Sequence, residues 1–310
     1  MSRPRVVDVH SHLYPESFRA AGLLPPYIFD VAALLGQQAE AGVDISIVSN
    51  PMIVVAGMRR DLTALDAIAE YHAFAGTLQE RHPSIRGMAA CNYAAGDAAL
   101  RECERALDTY GFVGVVANSS VDGRGLDDPG ADALLELCER RAIPLFIHPP
   151  ALTIGRERLE RWRLPEMLGR PFDTTWSLIR FILSGGFLRH PAATIVLAHM
   201  GGGLAMLPGR LDFGYELRGD PSYGPWEPDV LPEPPSAYLR RLYVDTMGFH
   251  SPAVRLCVDT FGTDHVCFGS DHPPVNIPLS RGVETARRAL EEGLGRDAIL
   301  GGNAARIFRL

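Results

Sequence analysis

Eight short apolar runs, separated by longer stretches of helical periodicity, constrain the fold of this 310-residue chain more than any other feature. The runs span 6–10, 44–50, 85–92, 112–119, 144–148, 194–199, 242–247 and 266–271. Most are rich in Val, Ile and Phe and are apolar throughout, without in–out alternation. That pattern suits strands buried on both faces, as in a parallel sheet. The intervening stretches read as helices. Residues 61–81 place Leu62, Leu65, Ile68, Ala69 and Phe74 among charges, 98–110 and 131–141 behave likewise, and 175–188 is more apolar. Strands alternating with helices predict parallel βαβ units. Eight such units predict an α/β protein, a (β/α)8 TIM barrel forming one domain over 1–310. A doubly wound sheet is the rival, disfavoured because no G-x-G-x-x-G follows the first strand. The stretch 219–236, rich in Pro, Gly and acidic residues, predicts a long ordered loop after the sixth strand.

Charge and cysteine usage exclude some functions. The formal net charge is −7 and no basic stretch stands out, which argues against a nucleic-acid surface. Cys91, Cys103, Cys138, Cys257 and Cys267 lie far apart and form no C-x-x-C pair, as expected for free thiols in a reducing compartment. The start M-S-R-P-R-V-V-D-V-H shows no signal peptide, and no apolar run approaches the roughly 20 residues needed to span a bilayer. The expectation is a soluble, cytoplasmic protein with no membrane partner.

Barrel active sites lie at the C-terminal ends of the strands. The first run leads into D-V-H-S-H, the fifth into F-I-H-P-P, the sixth into L-A-H-M-G-G-G and the eighth into F-G-S-D-H-P-P. Four strands thus bring five His or Asp groups to one rim. His10 and His12, two apart on a strand, share a face and can reach one ion; two solvent-facing polar residues are the plainer alternative. His148 closes a buried run before Pro149 and Pro150, as a ligand or as a core His bonded to a carbonyl. Asp271, as a buried carboxylate, needs a cation, an Arg or a helix N-terminus. His199 precedes Gly201, Gly202 and Gly203, whose freedom allows close backbone approach. A histidine there points to acid/base work, or else to a tight structural turn. Asn50 and Asn118 end the second and fourth strands, where each bonds a substrate oxygen or caps a turn. Phe172 and Trp176 face the substrate or, more simply, pack in the core. His72, His82, His190 and His265 are expected to be solvated, and His250 and His272 lie near the rim without an assigned role.

These motifs together resemble the amidohydrolase superfamily, and within it the α-amino-β-carboxymuconate-ε-semialdehyde decarboxylase-like group. The resemblance rests on D-V-H-S-H-L-Y-P at 8–15, F-I-H-P at 146–149, W-x-L-P at 162–165 and L-S-G-G-F at 183–187. It continues through A-H-M-G-G-G at 198–203, G-R-L-D at 209–212, G-S-D-H-P at 269–273 and G-N-A at 302–304, in family order across essentially the whole chain. It implies that His10, His12, His148 and Asp271 ligate one divalent ion and that His199 is the catalytic acid/base. It also implies that Arg210 binds a substrate carboxylate across a homodimer interface. Two departures stand out. The first loop, 13–43, offers no convincing equivalent of a second carboxylate-binding Arg, and Met200 is inserted after the expected catalytic His.

The chain contains no Lys; all 30 of its basic residues are Arg. Binuclear members of the superfamily bridge two ions with a carbamylated Lys, so a mononuclear site is expected here. Three His and one Asp favour Zn²⁺, with Mn²⁺ the rival. The expected function is non-oxidative decarboxylation of a small aromatic or unsaturated carboxylic acid. A metal-dependent hydrolase or hydratase acting on a lactone, amide or C–C bond is the second reading, and a non-enzymatic homologue of the fold is the third.

Overall fold

The structure is a computed structural model that describes residues 5–22, 25–291 and 294–310. Eight parallel strands follow one another in chain order around a single sheet: β1 (Val7–His12), β2 (Ile45–Ser49), β3 (Ile85–Ala90), β4 (Gly114–Asn118), β5 (Leu145–His148), β6 (Ile195–Leu197), β7 (Leu242–Asp245) and β8 (Val266–Cys267). Nearly every strand residue is buried, which is why the runs carry no alternation. The barrel closes between β8 and β1. Val9 N–H donates to the Phe268 carbonyl at 3.0 Å, Asp271 N–H to His10 at 2.8 Å and His12 N–H to His272 at 2.8 Å.

The outer helices are α1 (Val31–Ala41), α2 (Ala64–Arg81), α3 (Asp97–Tyr110), α4 (Pro129–Arg141), α5 (Arg170–Leu183), α6 (Pro208–Glu216), α7 (Ser251–Phe261) and α8 (Leu279–Ala289). Their ends are written locally. Asp30, Thr63 and Asp128 cap α1, α2 and α4 by accepting N–H bonds from Ala33, Asp66 and Gly130. Gly42 and Gly111 close α1 and α3 at φ +69° and +64°. The Thr63 cap starts α2 three residues later than the periodicity predicts. The helix expected over 175–188 begins earlier, at Arg170, and stops before Gly185, whose φ of +78° breaks it. The loop expected at 219–236 is present between α6 and β7, interrupted by short 3-10 turns. No helix among the described residues is long and apolar enough to cross a membrane.

Three strand ends bear on the rim. β1 runs on to His12, with a register irregularity against β2 between Asp8 and Ser11. An extra residue there re-aims the side chains beyond it. β6 and β8 stop early, so His199 and Asp271 lie in the turns beyond them.

Candidate metal centre

His10, His12, His148 and Asp271 converge at the C-terminal mouth of the barrel. One donor atom from each lies within 4.8 Å of all the others, and all four residues are buried. His10 Nε2 is 3.0 Å from His12 Nε2, and Asp271 Oδ1 is 3.0 Å from His12 Nε2 and 3.4 Å from His10 Nε2. The opposite ring nitrogens are tied off. His10 Nδ1 meets Asp245 Oδ2 at 2.6 Å, His12 Nδ1 meets the Ser49 carbonyl at 3.0 Å and His148 Nδ1 meets the Pro149 carbonyl at 2.7 Å. Carbonyl and carboxylate oxygens only accept, so each Nδ1 donates and each Nε2 presents its lone pair inward. Lone pairs this close repel one another, and a cation among them removes the repulsion. The donor set suits one borderline-soft divalent ion.

Without an ion, a proton balances the carboxylates of the cage. Burial works against charge on His10, but Asp271 and Asp245 outweigh it and push the ring up to about 10, so a metal must displace that proton from Nε2. Burial also opposes ionisation of Asp271. The charge on His10 and hydrogen bonds from His10, His12 and His199 overcome it and hold the carboxylate well below its usual range. His12 and His148 shift downward, chiefly by burial, and for His148 also by His199, His10 and His12. They therefore stay neutral, the form that binds a metal.

Two aspartates that the sequence reading did not single out hold this arrangement. Asp245, at the end of β7, accepts from His10 through Oδ2 and from the backbone N–H groups of Met200 and Met247 through Oδ1, at 2.9 and 3.0 Å. Gly269 makes room for this contact, because a Cβ there would sit 2.8 Å from that of Asp245 and 3.0 Å from that of His10. Asp8 accepts from His10 N–H at 3.0 Å, Ser11 Oγ at 2.8 Å and Ser270 N–H at 3.0 Å, joining β1 to the turn after β8. Burial pushes Asp8 up to about 6 against those bonds. A carboxylate inside the apolar run 242–247 was the available signal for Asp245, whereas Asp271 closes its run.

His199 stands beside the cage. Its Nε2 is 3.3 Å from Asp271 Oδ2, and its ring centroid is 5.1 Å from those of both His10 and His148. Its Nδ1 is buried without a hydrogen-bond partner. Asp271 thus turns one oxygen to the ligand nitrogens and the other to His199. Both residues have left-handed backbones, φ +54° at His199 and +56° at Asp271, and Met200 follows at +57°. Each such residue costs on the order of 1–3 kcal/mol, and strain of this kind clusters at functional sites. The glycines expected to permit close approach do so. Gly202, at φ +68°, packs where a Cβ would lie 2.3 Å from the Pro171 carbonyl, and Gly203 N–H donates to Thr175 Oγ1 at 2.7 Å.

Other candidates fall elsewhere. Asn50 is fully buried, and neither end of its carboxamide has a partner. Asn118 donates to the His148 carbonyl at 3.4 Å. Phe172 is 54% exposed, against the expectation that it packs in the core, because it lies on the outward face of the first turn of α5. Trp176 is half-buried under the Arg180 guanidinium. Arg210 is exposed on α6, 5.6 Å from the Phe213 ring. His72 and His190 are buried, not solvated. His72 bridges Glu102 and the Ala90 N–H, and His190 bridges Asp132 and Glu139.

Residues 7–310 match the family model described as Amidohydrolase. The chain is 27% identical over 272 residues to 2-amino-3-carboxymuconate-6-semialdehyde decarboxylase of Dictyostelium discoideum, covering 86% of this chain and 73% of that protein. Among solved structures it resembles 5-carboxyvanillate decarboxylase from Sphingomonas paucimobilis, with TM-score 0.84, 24% identity and coverage of 99% and 100%. It also resembles a dihydroxybenzoic acid decarboxylase from Polaromonas with bound manganese, with TM-score 0.81, 21% identity and coverage of 99% and 97%. These two structural likenesses are likenesses of fold.

Proposed function

The chain belongs to the amidohydrolase family, and from that premise we propose that it catalyses metal-dependent, non-oxidative decarboxylation of an aromatic or unsaturated carboxylic acid. The observation that carries the proposal is the single His₃Asp cage, its three Nδ1 atoms tied off and its carboxylate shared with His199. The names of the relatives and structural neighbours support the reaction class. The ion is single, since a chain without Lys cannot supply a carbamylated bridge. A bound ion supplies a Lewis-acid site for a substrate oxygen. Three imidazoles favour zinc. The manganese in a structural neighbour supports the rival.

The chain's own residues do the rest. His10, His12 and His148 bring lone pairs, and Asp271 brings a charge already set by its neighbours. His199 carries the proton. As the bond to the carboxylate carbon breaks, CO₂ leaves and the vacated carbon gains the proton, so carboxylate plus proton gives the decarboxylated product and CO₂. Asp271 Oδ2 orients the His199 ring for that transfer.

The protein acts as a homodimer in this reading. Leu152, Trp162, Met167, Phe172, Met206 and Phe213 are each at least 45% exposed, and all lie on the 149–172 segment or around α6. A second copy covering these apolar side chains would bring Arg210 to the neighbouring mouth, where its guanidinium holds the substrate carboxylate. The five cysteines are free and buried, in keeping with a reducing cytoplasm.

The test is metal-reconstituted protein incubated with hydroxybenzoic and unsaturated acids in ¹⁸O-labelled water. CO₂ release without ¹⁸O in the organic product is expected. Labelled product without CO₂ would replace this reading with a hydrolase or hydratase.

A further inference from the structure

The three histidines of the cage are not tied off alike. His10 is held by Asp245 and His12 by the Ser49 carbonyl, and both partners are the last residues of strands. His148 is held by the carbonyl of Pro149, the first residue beyond β5. Strand residues are fixed by the barrel ladder, whereas a loop carbonyl stands only where its loop is anchored. The anchor of this loop is Asp173, a fully buried carboxylate in the first turn of α5.

Asp173 joins three pieces of chain. Its Oδ2 accepts from Ile154 N–H at 2.9 Å, which pins the loop beyond Pro149. The same oxygen accepts from Ser120 Oγ at 2.8 Å, and Oδ1 accepts from Ser119 Oγ at 2.5 Å. Ser119 N–H in turn donates to the His148 carbonyl at 2.9 Å. The loop is thus fastened, through Asp173, to the residue that also fastens the backbone of His148. No Arg or His pairs with Asp173 among the described residues; its partners are two hydroxyls and one backbone N–H. Burying a carboxylate without a cation is costly, and filling the space would need only an apolar side chain. A carboxylate can accept on both sides, which is what three converging donors require.

We infer that Asp173 is a positioning residue for the metal site. It fixes the loop whose Pro149 carbonyl orients the His148 ring, and so keeps the inward nitrogen of that ring in the cage. The inference rests on the reading of the cage as a metal centre.

The test is titration of chelator-treated protein with zinc and with manganese, in competition with a chelating dye. Wild type is compared with Asp173→Ala, Asp173→Asn and Ser177→Ala, and urea unfolding of each metal-free protein gives its stability. Ser177 Oγ donates to the Ser119 carbonyl at 2.6 Å and accepts from Leu126 N–H at 2.9 Å, so its loss loosens the same buried network without touching the loop. Asp173→Ala should weaken metal binding about 10–100-fold. Ser177→Ala should lose stability yet bind near wild type. Asp173→Asn should recover most of the affinity, because its oxygen can serve Ile154 and Ser120 while its amide donates to the Ser119 hydroxyl. Wild-type affinity in Asp173→Ala overturns the inference. Equal weakening in Asp173→Ala and Ser177→Ala overturns it too, since affinity would then merely follow stability. If Asp173→Ala does not fold, Ile154→Pro deletes the loop's N–H and leaves the carboxylate with both serines, and wild-type affinity there is equally fatal. Failure of wild type to bind either ion sinks the metal-centre reading itself, and this inference with it.

Discussion

Replacing Asp245 with Asn perturbs the cage without removing any of its four donors. Asp245 Oδ2 accepts from His10 Nδ1, while Oδ1 accepts from the Met200 and Met247 N–H groups. Both sides demand an acceptor, and a carboxamide has one acceptor and one donor end. The backbone N–H groups cannot change, but an imidazole can switch tautomer. The amide nitrogen therefore faces His10, whose proton moves to Nε2, the atom that would hold the metal. Changing an outer-shell partner of this kind costs about 10–100-fold in metal affinity, or about 1.4–2.8 kcal/mol. The metal-free fold keeps an acceptor for both backbone groups but loses the carboxylate that helps His10 hold its proton, so its stability should fall, though less than in Asp245→Ala. Asp245→Ala strips that acceptor from both, at about 1–3 kcal/mol each. Competition against a chelating dye reads the first effect, and urea unfolding of chelator-treated protein reads the second. The Asp245→Asn variant is expected to weaken metal binding with a smaller loss of stability than the Asp245→Ala variant, which should be defective in both. Wild-type metal affinity in Asp245→Asn would refute the tautomer argument and with it the assignment of His10 Nε2 as a ligand.

Other perturbations separate the remaining roles. His199→Gln should lower CO₂ release by about 10²–10⁴ while metal content by elemental analysis stays at one ion per chain; surviving turnover would remove it as the proton carrier. Arg210→Ala should raise KM about tenfold or more, and mixing it with His199→Gln chains should restore activity through hybrid dimers; no recovery on mixing would place Arg210 outside the neighbouring site. Burial holds the His72 ring below its ordinary value of 6.5. Below that pH the unfolded chain takes a proton that the native chain refuses. Its contribution is therefore fully present above about pH 6.5 and is lost as pH falls, at up to about 1.4 kcal/mol per unit. Urea titrations of wild type and His72→Gln between pH 7.5 and 5 check this, and parallel slopes would count against it.

Much of this protein could be read from local pattern. Eight unalternating apolar runs imply strands with no solvent face, and their spacing leaves room for one helix each, which is enough for a barrel. Because a parallel barrel delivers every strand end to one rim, the residues closing each run were enough to gather His10, His12, His148, His199 and Asp271 before any contact was known. The absence of Lys, set against the carbamylated bridge that the family resemblance implies for binuclear members, gave the expectation of a single ion. Only the tertiary structure decided how those groups are held. His10 finds Asp245 across 235 residues, and no periodicity encodes a partner at that distance. His199 and Asp271 leave their strands through left-handed turns that apolar runs, which report burial but not φ, extended as strand. For the same reason His72 and His190 looked exposed on polar helices yet are buried against carboxylates from neighbouring helices, while Phe172 looked like core and faces outward. Residue type and spacing establish which side chains arrive at the mouth, because strand direction is a local property. Which nitrogen faces inward depends on the group behind each ring, and that is supplied by chain remote in sequence.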